Sequence, residues 1–570
     1  MATAIVRKSR VPLFNTLRNY RPADFPNDLT AGLSACVVMI PSVLAYADLV
    51  HLPAVTGLYA ALAAALGYSL LASSRQVIAG PDAAIGLLVG STILPLAGAD
   101  PTRMAMLAAE LGLLTGILLL LAARLKLGVI ADLLSRPVLV GYLNGASLIL
   151  ISTQLGKLFA IRTQGEEFFP LLYALVRQLP HAHMPTLLLG LSLTALLVGL
   201  ARWFPTVPGA LACCAAALLA SLAFDLGQQG VALVGMVPSG LPGFQPPPVR
   251  WGDVAALAPA AVAIAFLAFS DGILLAQSFA EKHSQSINPN QELAALGCAN
   301  LLAALWQGFP VSASQSRTAV VDAAGGRTQV AQLLAAGGLL LFLLFLTSWL
   351  SPLPRVALSA ILIVTAAGML ELGSLRKLYG IDRNEFKIAL TVTLVILLAG
   401  VVTGIIAGML ISMIAVLVDI SRPRDAVLRR LRSDGKFHDC LQDEDAQAVA
   451  GVLVYRLYGP LVFANARHVV ERIRHLVATT VPAAQWLVID AQAITDLDVT
   501  AAQRLAELHR EMAEQGIAIK IADAPRPFRE ELARVGLSEA LGSQQFYVSV
   551  KKAVEAFEQS HPSTKFDAAQ

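Results

Sequence analysis

The sequence predicts an α-helical polytopic membrane protein that ends in a small water-soluble α/β domain, and three observations carry that prediction. Of its 570 residues, 56% are hydrophobic and 14% charged, with a mean hydropathy of +0.66, whereas a soluble globular chain has about 25% charged residues. Apolar runs long enough to cross a bilayer recur from about Leu29 to Ile420. After Ser421 the character changes: Arg422, Arg424, Arg429, Arg430 and Arg432 crowd together, and the rest reads as an ordinary soluble domain. A net charge of +3 gives no basic excess of the kind a nucleic-acid partner requires.

Taken in order, apolar runs bounded by breakers place spans at 29–50, 54–72, 82–97, 104–123, 138–156, 186–204 and 208–226. A loop holding Pro238, Pro242, Pro246, Pro247 and Pro248 follows, then spans at 257–280, 291–308, 313–324, 328–350, 355–372, 385–402 and 404–420. That makes about 14 transmembrane segments in a 7+7 arrangement about the loop. Phe168 to Leu179 is apolar but short and lies beside Glu166 and Glu167, which suits an interfacial helix. The expected organisation is an N-terminal segment (1–28), a first membrane repeat (29–226), a loop (227–253) and a second repeat (254–421). A basic linker (422–445), an α/β domain (446–560) and a disordered tail (561–570) complete it. Cys36, Cys213, Cys214, Cys298 and Cys440 lack the paired spacing of a zinc or redox motif and read as small buried residues. Met1 to Pro26 is polar and basic without a short apolar core, unlike a cleaved signal peptide.

Orientation follows the Lys/Arg balance of the short flanks. Arg7, Lys8, Arg10, Arg18 and Arg21 precede the first span and the arginine cluster follows the last, which puts both termini in the cytoplasm. Arg124, Lys126, Arg136, Arg376, Lys377, Arg383 and Lys387 agree, while Arg162, Arg177 and Arg250 fall outside.

The two halves share an oddity. The third span is short and opens with Ser73-Ser74-Arg75-Gln76-Val77-Ile78-Ala79-Gly80-Pro81; the tenth is short and opens with Gln307-Gly308-Phe309-Pro310-Val311-Ser312-Ala313-Ser314. Each reads as an extended segment, a Gly/Pro break and a half-length helix. Matching broken spans in two halves point to an inverted repeat with a binding site between them, because extended backbone at membrane depth must line a cavity or be buried in protein. Two helix starts facing one gap offer unpaired amides and the positive ends of their dipoles to an anion. The Ala83 amide is one such donor, Ser312, Ser314 and Ser316 add hydroxyls, and Arg317 adds a full positive charge. An arginine at that depth pairs or faces a wet cavity; the other reading makes Arg317 a topology anchor at the inner mouth.

Asp271 lies in the middle of the apolar eighth span, where a carboxylate binds a coupling ion, H⁺ or Na⁺, or simply pairs with Arg317. Asp82 follows Pro81 at the third helix start: it is either a plain N-cap or a group that takes a proton as an anion enters. Ser42 and Tyr46, one turn apart after Pro41, line the same cavity or pack between helices. Glu110 and Glu371 lie nearer span ends, within reach of water.

In the C-terminal domain, Val452 to Leu457, Trp486 to Asp490 and Ile517 to Ile521 read as strands. Ala464–Val477, Thr500–Glu514, Arg526–Val535 and Val548–Phe557 read as helices. Alternating strands and helices make a small α/β layer fold.

At these residues the chain resembles the sulfate permease (SulP) family. The likeness covers nearly the whole sequence: Ile40-Pro41 through Ala45-Tyr46-Ala47, Thr56-Gly57-Leu58-Tyr59-Ala60, Ser73-Ser74-Arg75 with Gly80-Pro81, and Gly308-Phe309-Pro310-Val311-Ser312 leading to Ser316-Arg317-Thr318. The resemblance implies a fourteen-span inverted repeat with core and gate domains, an anion between the third and tenth helix starts, a C-terminal STAS domain and a homodimer. It assigns Ser316 and Arg317 to the anion site and Asp271 to the eighth-span acid that binds a coupling cation. The chain departs from the family where Ser42 replaces a glutamine and Asp82 an apolar residue. Thr495-Asp496-Leu497-Asp498-Val499-Thr500 is similar to the STAS signature, with Val499 at the position phosphorylated in anti-sigma-antagonist relatives, so that switch is absent there and Thr500 is left as a weaker candidate. Asp498 reads as a helix cap.

The leading expectation is a secondary anion transporter in a bacterial inner membrane, with sulfate first and bicarbonate, chloride, nitrate or a dicarboxylate next. It is H⁺-coupled, with Na⁺ symport or exchange as the alternative. A second reading is a membrane-anchored STAS signalling protein, for which Arg317 and Asp271 would have no use. An enzyme has little support: there is no glycine-rich nucleotide loop, metal-ligand cluster or nucleophile with an evident base.

Overall fold

The computed structural model describes residues 12–98, 100–128, 135–161, 168–205, 207–241, 243–432, 435–439, 446–534, 536 and 542–561. Arg7, Lys8, Arg10, Arg162, Glu166, Glu167, Pro242, Cys440 and the expected tail from 562 lie outside them. The chain divides into two compact units, Met1–Ser412 and Met413–Gln570.

The first half of the membrane region forms α1 (Phe25–Leu49), α2 (Ala54–Leu71), β1 (Ala79–Gly80), α3 (Ala83–Ala97), α4 (Pro101–Arg124), α5 (Arg136–Leu158), α6 (Met184–Trp203) and α7 (Gly209–Phe224). The second forms α8 (Trp251–Lys282), α9 (Pro289–Leu305), β2 (Ser312–Ala313), α10 (Gln315–Ala323), α11 (Val330–Phe345), α12 (Arg355–Met369), α13 (Arg383–Ala399) and α14 (Val401–Ser421). Short helices at Phe168–Gln178 and Leu372–Ile381 flank them. Local chemistry sets the starts: Asp100, Asn288 and Asp382 accept hydrogen bonds from the first-turn amides of α4, α9 and α13. Each expected span holds one helix. Among the described residues, eight helical stretches are long and apolar enough to cross a bilayer, while α3, α7 and α11 are apolar but shorter. The 9-residue α10 rises about 14 Å against a hydrocarbon core of about 30 Å.

The helices sort into two bundles. In the core bundle α9 packs on α2 and α4, α11 on α1 and α2, α8 on α4 and α10 on α1; in the gate bundle α5 packs on α12 and α13, and α12 on α6 and α7. Small residues permit these approaches: a Cβ on Gly67 would sit 2.8 Å from the Cα of Ala299, and one on Gly145 2.8 Å from Ile396. The bundles also meet at the ends of α1 and α5, where Lys157 Nζ lies 2.5 Å from Asp48. The order helix, helix, short strand, short helix occurs twice, as α1–α2–β1–α3 and α8–α9–β2–α10. The two strands pair antiparallel, Ala79 opposite Ala313 and Gly80 opposite Ser312, as an inverted repeat requires.

The second unit is an α/β layer. Its sheet runs β7 (Phe546–Tyr547), β6 (Ala518–Ala522), β5 (Trp486–Asp490), β4 (Val452–Tyr458), β3 (Arg424–Val427), with β4 to β7 parallel and β3 antiparallel. Strand alternation splits the core. Leu453, Tyr455, Leu487 and Ile489 face α15 (Phe463–Thr479), α16 (Val499–Glu514) and α17 (Arg526–Arg534). Val452, Val454 and Val488 face α18 (Val550–Ser560). Buried Asp490 accepts two bonds from Arg456, at 2.8 and 2.5 Å. Burial against Trp486 pulls the Lys520 amine below the usual lysine range, with Nζ 4.1 Å from the ring centre.

Candidate anion site

The β1–β2 ladder holds the starts of α3 and α10 side by side, and Ser314 N–H extends it by donating to the Ile78 carbonyl at 2.9 Å. Buried extended backbone needs partners for its amides and carbonyls, and side chains from neighbouring helices supply them. Glu292 of α9 accepts from Ser73 N, Ser74 N, Ser73 Oγ and Tyr68 OH at 2.5–2.8 Å. Thr318 Oγ1 accepts from Ile78 N at 3.0 Å. Gln329 donates to the carbonyls of Ser74 and Val77, and Gln332 to that of Ala79. Before α10, Asn300 exchanges both amide bonds with Val311.

Arg317 is 1% exposed. Its Nη2 donates to the Pro81 carbonyl at 2.7 Å, and its Nε has no partner among the described residues. The guanidinium lies close over Gly80, where a Cβ would come within 3.1 Å of Nη2. A side chain there would press on the guanidinium, so the glycine eases this approach, and it does so without a positive φ. A buried cation with an idle donor, reaching from one helix start to the other, is poised for an anionic partner.

The two helix starts differ in what occupies them. Asp82 is the N-cap of α3, accepting from Ala84 N at 3.1 Å and lying against the Ala83 amide. Ser314 caps α10 without a side-chain bond, and its hydroxyl lies 3.5 Å from that of Ser316. The start of α10 is therefore the open donor array, whereas α3 carries its own carboxylate. Tyr46, 5% exposed, lies within electrostatic reach of Asp82 and Arg317. Asp271, inside α8, lies within reach of Asp82, and no ion pair joins it to Arg317. Ser316 is exposed and both aspartates are half-buried, so the site is not sealed. With both carboxylates ionised, one arginine faces two negative charges and an arriving anion is opposed; protonating one aspartate removes that opposition.

Arg317, Asp82, Ala83, Tyr46, Ser314, Ser316 and Asp271 are thus brought to one region. Ser42 is one turn from Tyr46, but its hydroxyl donates to the Val38 carbonyl at 2.9 Å. Glu110 differs from expectation: it is buried in α4 with Oε1 unpartnered among the described residues. The reason is that α8 begins at Trp251, ahead of its apolar run, and covers that end of α4, where Arg103 pairs with Asp253. Tyr142 of α5, buried and near Asp271 and Asp82, was not among the sequence candidates. A polar residue inside an apolar span was its one signal. In the C-terminal unit Asp498 caps α16, accepting from Ala501 N at 2.8 Å, and also accepts from Phe463 N at 2.5 Å. Val499, beside it, is exposed and carries no hydroxyl.

Comparison with known proteins agrees with this architecture. Residues 25–392 match the sulfate permease family and residues 445–553 the STAS domain. A probable sulfate transporter of Mycobacterium tuberculosis is 37% identical over 540 residues, covering 95% of this chain and 96% of the relative. The chloroplastic sulfate transporter 4.1 of Arabidopsis thaliana is 26% identical over 562 residues, covering 95% and 82%. In fold, the chain is similar to the murine solute carrier 26 member A9 anion transporter in its inward-facing state. The TM-score is 0.88 at 23% identity, over 97% of this chain and 94% of that one. The transmembrane domain of a cyanobacterial bicarbonate transporter matches 69% of this chain and 98% of its own at 21% identity, with a TM-score of 0.60. This chain, a multi-pass membrane unit joined to a STAS domain, belongs to the sulfate permease family.

Proposed function

We propose that the protein is a secondary active transporter of an inorganic anion, sulfate foremost, that works by alternating access and is coupled to H⁺. The observation that carries this reading is the buried Arg317 guanidinium, with an idle Nε, reaching from the open start of α10 across Gly80 to the start of α3. In this reading the first-turn amides of α10, Ser314, Ser316 and Arg317 hold the anion. Tyr46 and Ser42 line the pocket, and the Ala83 amide joins as Asp82 is neutralised. Asp82 and Asp271 take up the proton that makes anion entry electrically tolerable. Sulfate is supported by the relative that shares 37% identity over almost its full length. The core bundle carries the site and moves against the gate bundle, exposing the helix starts to one side and then the other. The fourteen segments cross a bacterial inner membrane, the short α3 and α10 doing so together with the extended segments that precede them; both termini face the cytoplasm, and the working unit is a homodimer.

Uptake of radiolabelled sulfate into proteoliposomes tests this. An inward H⁺ gradient should drive accumulation, with bicarbonate, chloride, nitrate and a dicarboxylate as competitors. Accumulation driven only by Na⁺ would reassign the coupling ion, and no uptake of any of these anions would overturn the transporter reading.

A further inference from the structure

One buried donor near the site has no part in the scheme above. Tyr142 lies on α5, in the gate bundle, and is 2% exposed; its hydroxyl has no partner among the described residues. Native interiors leave few buried polar groups unpaired, and an exception calls for an explanation, a functional role or a bound ion among them. The charged groups within electrostatic reach of this phenol are Asp271 and Asp82, the two carboxylates of the candidate site. Its helix is held firmly: α5 packs along α12 and α13, with Gly145 seated on Ile396. The same helix also contacts α3, the short helix that begins at Asp82, so the phenol is fixed on the gate side where the gate bundle meets the core.

We propose that Tyr142 is the gate bundle's ligand to the transported oxyanion, its O–H donating to one anion oxygen while the start of α10 and Arg317 hold the others. The inference rests on the anion-carrier reading and adds a specificity element to it. A tetrahedral oxyanion presents acceptor oxygens in several directions, so it accepts from α10 and from a donor across the gap at once. A halide is a single small acceptor; seated on the α10 amides, it does not extend to Tyr142. A neutral phenol suits the position, because a second cation opposite Arg317 would hold the anion too tightly to release, whereas a hydroxyl contributes one breakable bond.

The test is binding to the purified full-length protein by calorimetry, with sulfate and chloride as separate ligands, for the wild type and Tyr142→Phe. The expected result is a rise in the sulfate Kd of about tenfold, the effect of losing one hydrogen bond to a charged acceptor. The chloride Kd and the ligand-free Tm stay at wild-type values, since phenylalanine keeps the ring packing. An unchanged sulfate Kd, or equal weakening for sulfate and chloride, would overturn the assignment. If the wild type bound neither anion, the carrier reading itself would fall, and the inference with it. That outcome is distinct from a wild type that binds sulfate and a variant that binds it equally well.

Discussion

Replacing Arg317 with alanine removes a full positive charge from the junction of the two helix starts. The magnitude follows from burial. At an effective dielectric of about 20, a unit charge about 5 Å away contributes about 3 kcal/mol for each of sulfate's two negative charges, so the loss is at least about a hundredfold in Kd. The Nε, without a partner among the described residues, adds a charge-assisted hydrogen bond on top. Stability should change little. The Pro81 carbonyl loses its 2.7 Å donor, costing about 1–3 kcal/mol, but a desolvated cation is removed at the same time, which offsets that loss. The assay is sulfate calorimetry on the detergent-purified variant, with its Tm measured beside it. A folded Arg317→Ala protein that binds sulfate within about threefold of wild type would refute the Coulomb estimate and the placement of the anion together.

Three further outcomes are expected. Asp82→Asn keeps a good N-cap and should leave the Tm unchanged, and both it and Asp271→Asn should abolish the dependence of sulfate uptake on a pH gradient; retained gradient dependence in both would remove the carboxylates from coupling. Lys157→Met breaks the partly buried pair with Asp48 and should speed backbone hydrogen exchange at Asp48 and Leu49 by an amount equivalent to about 1 kcal/mol; unchanged exchange would show that the pair does not hold the two bundles together. In the C-terminal unit Asp490→Ala removes the buried partner of the partly exposed Arg456 and should cost about 1–3 kcal/mol, read as a lowered denaturation midpoint; a midpoint at the wild-type value would contradict the role given to this pair.

The elements of the membrane unit were legible because apolar length and Gly/Pro breaks are local signals. Gly80-Pro81 and Gly308 through Pro310 marked both broken spans, and Asp82 marked a helix start that it does cap. What holds those breaks in place was not legible. Glu292, Asn300, Gln329 and Gln332 satisfy the extended segments from other helices, most of them far away in sequence. In helices apolar on every face, hydropathy does not say which side meets which neighbour. The same blindness hid Tyr142, whose relevance arises only when the gate bundle faces the core. It also misplaced Glu110, whose burial depends on α8 extending beyond its own apolar run. The asymmetry of the two helix starts, one capped by its own carboxylate and one open, likewise emerges only in the folded chain, since Asp82 and Ser314 are equally good capping residues by type.

The most direct measurement is the position of a bound oxyanion, located by anomalous scattering from selenate used in place of sulfate. One peak is expected between the starts of α3 and α10, about 3 Å from the first-turn amides of α10 and beside the Arg317 guanidinium. A well-bound selenate elsewhere in the membrane unit, with this gap unoccupied, would contradict it.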